Sequence, residues 1–184
     1  MLPQCATLIC FIPFGIYRTS VTLQISVNAK IVEEAWPQIQ GFGSLFGNPN
    51  STAPIVRVGK AGDKGTMEIS DVLFTTAGTT PGAVVVEWNI KASGQGTAAM
   101  WDSHFRLGGA FGTDIDSLRF PASGSLDGDC MAASLLLHVT AQASGYFENC
   151  WVWTADHYLD DVSQLQINSV TGRGLLIDKS QGPN

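Results

Sequence analysis

Two tryptophans, Trp151 and Trp153, end an apolar run in this chain, and Asp156, His157, Asp160 and Asp161 follow at once. In an extended strand, residues two apart project from the same face, so the two indoles would lie side by side. Flat rings beside carboxylates suit a sugar. The ring covers the apolar C–H face, while the acids accept from hydroxyls or move protons. Trp153, Trp151, Asp156 and His157 are therefore the candidate substrate-binding residues. Asp160-Asp161 reads as a solvated turn. Glu87 and Asp102 lie in apolar runs, where a charge needs a partner. Structural pairing, with Arg106 available, accounts for them better than catalysis does. His104 and His138 read as core or edge residues.

The other chemistries that composition could support are weakly represented. Cys5, Cys10, Cys130 and Cys150 include no CxxC pair and the three histidines are scattered, so neither a metal nor another cofactor is expected. An even number of cysteines permits disulfides or small buried thiols equally. The formal net charge is −6 with no Lys/Arg cluster, which argues against nucleic acid as a partner. No run reaches the roughly 18 apolar residues of a membrane helix, so no membrane partner is expected. Met1–Phe14 is apolar but lacks a basic start and is broken by Pro3 and Pro13. It reads as a strand pair near a truncated start, not as a signal peptide. Asn50-Ser51-Thr52 is a glycosylation sequon, a mild pointer to secretion.

The elements that must position these residues are strands. Charged residues make up 14% of the chain and 20 of the 184 residues are glycine, a composition for many turns and few solvated helix faces. Strand-like runs fall at Thr7–Ile12, Val21–Val27, Pro54–Val58, Thr66–Phe74, Ala83–Ile90, Trp101–Leu107, Ala133–Val139, Gly145–Trp153, Leu165–Val170 and Arg173–Ile177. Several are unbroken apolar runs such as Val84-Val85-Val86, which suits parallel sheets more than hairpins. A degenerate repeat links Ile69-Ser70-Asp71-Val72-Leu73-Phe74, Met100-Trp101-Asp102-Ser103-His104-Phe105 and Phe147-Glu148-Asn149-Cys150-Trp151-Val152. Gln166-Ile167-Asn168 is a fainter copy. The spacing is unequal, as in a parallel β-helix whose coils share strands but differ in loop length, with Asx side chains at the bends. The expected fold is all-β: a right-handed, single-stranded parallel β-helix with irregular loops, one partial domain over residues 1–184.

Longer motifs carry a family resemblance. They include Gly62-Asp63-Lys64-Gly65-Thr66-Met67-Glu68-Ile69-Ser70-Asp71 and Gly82-Ala83-Val84-Val85-Val86-Glu87-Trp88-Asn89. Ala99-Met100-Trp101-Asp102-Ser103-His104-Phe105-Arg106-Leu107-Gly108-Gly109, Cys130–His138 and Trp153-Thr154-Ala155-Asp156-His157 complete the set. Together these resemble fungal exo-β-1,3-glucanases of glycoside hydrolase family 55, over nearly the whole chain. The resemblance implies a secreted enzyme of two tandem pectate-lyase-type β-helices that removes glucose from β-1,3-glucan with inversion. It implies that this chain is the first part of the second β-helix, with a preceding β-helix domain as its neighbour. The general acid, in a Gln-Thr-Glu segment, would lie beyond Asn184, and the groups positioning water before Met1. No catalytic residue is therefore expected in this chain, and a fragment inactive alone is. By the same resemblance Trp153 stands at the sugar platform. Glu33 replaces a family glycine, so a left-handed backbone would strain it. A cysteine missing near Phe120-Pro121 would leave Cys130 unpaired. The alternative is a non-catalytic carbohydrate-binding or structural β-helix.

Overall fold

The computed structural model describes residues 9–115, 130–160 and 162–178. The chain winds through five rungs, each giving one strand to each of three parallel sheets. The first sheet stacks β1 (Ile9–Ile12), β4 (Lys30–Glu33), β8 (Met67–Ser70), β12 (Ala98–Trp101) and β15 (Tyr146–Glu148). The second stacks β2 (Ile16–Thr19), β5 (Gln38–Gly41), β9 (Leu73–Thr76), β13 (His104–Leu107) and β16 (Trp151–Thr154). The third stacks β3 (Leu23–Ile25), β6 (Ala53–Val58), β10 (Ala83–Trp88), β14 (Met131–Val139) and β17 (Val170–Ile177). A short pair, β7 (Lys64–Gly65) and β11 (Lys91–Ala92), stacks beside them. This is the all-β parallel β-helix that the apolar runs and the unequal repeat predict.

The interior is built from like residues stacked rung on rung. Ile31, Ile69, Met100 and Phe147 are in register in the first sheet. Phe74 and Phe105 are in register in the second, their rings stacked with centroids 5.4 Å apart. Each such buried side chain contributes about 1.5–3 kcal/mol, and only while the neighbouring rung is present.

The bend from first to second sheet takes two residues in three successive rungs. Asp71, Asp102 and Asn149 hold its left-handed position, with φ of 62°, 47° and 52°. Asp and Asn tolerate this region because their short polar chains bond locally. Asn149 Nδ2 donates to Asp102 Oδ1 across adjacent rungs. The three clear copies of the repeat thus fall in register. The fourth does not: Gln166 makes only an isolated antiparallel bridge with His157, and Asn168 lies in the loop before β17. Leu165–Val170, expected as a strand, is that loop up to Val170.

Other differences are local. β2, β4 and β5 are absent from the sequence reading because each is four residues long and partly polar, so the stack and not the local pattern makes them strands. Thr66–Phe74 and Gly145–Trp153 each contain a bend and are two strands, and Trp101–Leu107 holds β13 but only the last residue of β12. Glu33 is an ordinary strand residue paired with Ile12. The left-handed backbone in that rung falls instead on Ala35 and Trp36, with φ of 56° and 62°. Residues 1–8, including Cys5, lie outside the described residues. Cys10 is disulfide-bonded, and Cys130 and Cys150 are free.

Candidate functional site

Parallel stacking puts outward residues of the second sheet into rows. One row runs Ile16, Gln38, Leu73, His104, Trp151. The next outward row carries Arg18, Gln40 and Thr75, then Arg106 paired with Trp153. A cleft of about 600 Å³ opens over the first row, floored by Ile16, Gln38, Leu73 and His104. Its size lies within the range of small-molecule sites, about 300–1,000 Å³. Phe14, Ala35, Trp36, Arg106, Phe111 and Asp160 also line it.

Trp36 owes its place to an unusual bend. The second rung turns through Glu34–Pro37 with two consecutive non-glycine residues in the left-handed region, a conformation that costs of order 1–3 kcal/mol per residue. The result is an indole 38% exposed and edge-on to His104, ring centroids 4.2 Å apart. His104 stacks on Trp151 at 5.3 Å, and Trp151 meets Trp153 edge-to-face at 6.3 Å. An aromatic track therefore runs Trp36–His104–Trp151–Trp153 along the outside of the second sheet. Burial pulls the His104 pKa below its ordinary value; Arg106 pushes the same way and Asp102 opposes. At neutral pH the ring is uncharged and stacks without a large desolvation penalty.

Arg106 and Asp160 pair at the cleft. Arg106 Nη2 lies 3.4 Å from Asp160 Oδ2, and the Phe111 backbone N–H donates to the same oxygen at 2.8 Å. The guanidinium sits 6.0 Å above the Trp153 ring. Burial lowers the Arg106 pKa against the opposing pull of Asp160. Asp160 is an exposed turn residue, as the sequence suggests, and its carboxylate also ties that turn to the loop after β13; Asp161 lies outside the described residues.

The residues named from sequence separate into two groups. Trp151, 54% exposed, continues the aromatic track beyond the cleft. Trp153 is on the same outer face but half-buried, with Arg106 over its ring and its Nε1 buried without a hydrogen-bond partner. Asp156 and His157 bond each other on the loop after β16; the Asp156 side chain is 84% exposed, and neither residue lines the cleft. Glu87 pairs with Arg57 at 2.7 Å and Asp102 with Asn149, so Arg106 serves neither of them. His138 bonds Asp178 at 2.9 Å on the third sheet. Among the described residues no group of three His, Cys, Asp or Glu side chains is placed to hold a metal ion.

Sequence reasoning missed Trp36, Phe111 and the Arg106–Asp160 tie. Trp36-Pro37 gave no usable signal, because a residue before proline is ordinarily extended whereas Trp36 has φ 62°. Chemically, the cleft offers aromatic faces, one amide, one imidazole, and the Arg106 guanidinium paired with the one carboxylate, Asp160. That composition fits holding a neutral, hydroxyl-rich ligand.

No family model matches the chain. It is 52% identical over 176 residues to a Penicillium expansum protein named Non-secreted LysM effector LysM15, covering 95% of this chain and 12% of that protein. It is 40% identical over 176 residues to a probable glucan endo-1,3-beta-glucosidase of Arthroderma benhamiae, covering 94% of this chain and 20% of the relative. It is 40% identical over 173 residues to the glucan 1,3-beta-glucosidase of Cochliobolus carbonum, covering 92% and 22%. The chain therefore spans between about a tenth and a quarter of the length of these relatives.

Proposed function

We propose that this chain is the glucan-binding portion of a secreted glucan 1,3-β-glucosidase, that it holds β-1,3-glucan along the outer face of its second sheet, and that it does not hydrolyse the polymer alone. The observation that carries this reading is the cleft flanked by Trp36 and continued by the His104–Trp151 stack. It occurs in a chain aligned over most of its length with proteins named a probable glucan endo-1,3-beta-glucosidase and a glucan 1,3-beta-glucosidase. Trp151 and Trp36 are the primary platforms. Trp153 supports the row from beneath Arg106, and Asp156 and His157 stand at its loop edge. The disulfide at Cys10 favours an oxidising compartment.

The proposal of no turnover is supported by the carboxylates of the described residues. Glycoside hydrolysis needs two, flanking the scissile bond. Asp160 is the only acidic residue among the described residues lining the cleft, and it is bonded to Arg106 and to the Phe111 N–H. Purified chain incubated with laminarin should release glucose at the rate of a protein-free control, while laminarin quenches its tryptophan fluorescence saturably. Glucose release above control would overturn the first part. Absence of quenching would overturn the second.

A further inference from the structure

Eight buried side-chain polar atoms lack a hydrogen-bond partner among the described residues, and four of them lie in one place. Gln40 Oε1, Thr75 Oγ1, Arg106 Nε and Trp153 Nε1 all belong to the second outward row of the second sheet, one each from β5, β9, β13 and β16. Gln40 and Thr75 are fully buried. Adjacent strands are about 4.8 Å apart, so these atoms form a polar file across four rungs. A buried polar atom left unpaired costs roughly 1–3 kcal/mol, and natural folds rarely leave four together.

The segment that leaves β13, residues 108–115, lies against the Gln40 end of this file. Gln40 Nε2 donates to the Phe111 carbonyl at 3.3 Å, and the Gly78 N–H to that of Thr113 at 2.7 Å. Arg18 pairs with Asp114 at 3.2 Å at one end of this strap. At the other, Asp160 accepts from Phe111 N–H and from Arg106. Gly109, at φ 67°, lies so close to the next loop that a Cβ would stand 2.7 Å from that of Ala155. Ala110, Thr113 and Ile115 anchor the two halves of the strap by full burial, so the polar ties hold chiefly its exposed middle, around Phe111.

We propose that the strap occupies a saccharide subsite, and that Gln40, Thr75, Arg106 and Trp153 bond sugar hydroxyls there when it lifts. Two donors, one acceptor and one hydroxyl that serves as either suit an uncharged polyol and no single anion. The inference rests on the glucan-binding reading and extends the open cleft by one row.

The test is calorimetric titration of laminari-oligosaccharides of increasing length. Asp160→Asn weakens the latch, and should tighten binding of the longer oligosaccharides about fivefold or more, because part of the binding energy no longer opens the strap. Asp114→Asn, outside the cleft, should act in the same direction. Adding Thr75→Val to Asp160→Asn should raise the melting temperature, since an orphan hydroxyl is removed, yet return at least half of the affinity gain. Unchanged affinity in both latch variants, or a Thr75→Val change that stabilises without weakening binding, overturns the inference. If the parent binds nothing and Asp160→Asn binds, the strap stands and the open-cleft reading falls. If neither binds, both fall.

Discussion

Glu33 is buried at the bend between the first and second sheets, with both carboxyl oxygens unpaired. Burial, reinforced by the neighbouring Asp71, pushes its pKa up to about 8. The folded state therefore binds this proton more tightly than the unfolded chain does. Stability from this group is greatest below about pH 4.5, falls as pH rises towards 8, and is level above that. The full span is about 5 kcal/mol, at 1.36 kcal/mol per unit. Urea unfolding from pH 5 to 9 should show this decline in the parent, and Glu33→Gln should flatten it. An identical slope in the variant would show that Glu33 is ionised at neutral pH. At the same scale, Trp151→Ala should weaken laminarin binding about three- to tenfold, in line with about 0.5–1.5 kcal/mol for an aromatic contact. Trp153→Ala should cost more in stability than in affinity, because its indole is half-buried beneath Arg106.

The recurring element is the two-residue bend with an Asx residue in the left-handed region. Asp102→Ala removes both the tolerance for φ 47° and the bond to Asn149, and should lower unfolding stability by about 1–2 kcal/mol. Asp102→Gly, which keeps the backbone freedom, should lose less; chemical denaturation of the pair separates the two contributions. This element was legible in the sequence because its chemistry is local. Asp71, Asp102 and Asn149 stand at the same place in three matching hexapeptides, although each lies inside a run that reads as a single strand. The second rung was not legible, because Glu34–Pro37 replaces the two-residue bend with a longer one, and nothing in Ala35-Trp36 announces two left-handed residues. Trp151 and Trp153 announced a common face, but not which of the two Arg106 covers. The cleft itself joins residues of five rungs, from Phe14 to Asp160, and no local pattern encodes that contact.

At the scale of the molecule the protein is a one-dimensional stack, each rung buried only by its neighbours. Opening should therefore begin at the ends. Amide exchange should be fastest in β1–β3 and in β15–β17, and slowest in β8–β10, the central rung; uniform protection would mean that the stack unfolds as one unit. The cleft spans rungs of different stability, so a bound polymer that touches Trp36 and Trp151 together should slow exchange in the outer rungs it bridges. The most direct measurement is calorimetric titration of a laminari-oligosaccharide into the parent and into Trp36→Ala/Trp151→Ala. Saturable binding in the parent, reduced at least tenfold in a double variant that retains the parent's circular dichroism, is the predicted result. Equal affinity in both proteins, or no binding by the parent, would contradict a glucan track on the second sheet.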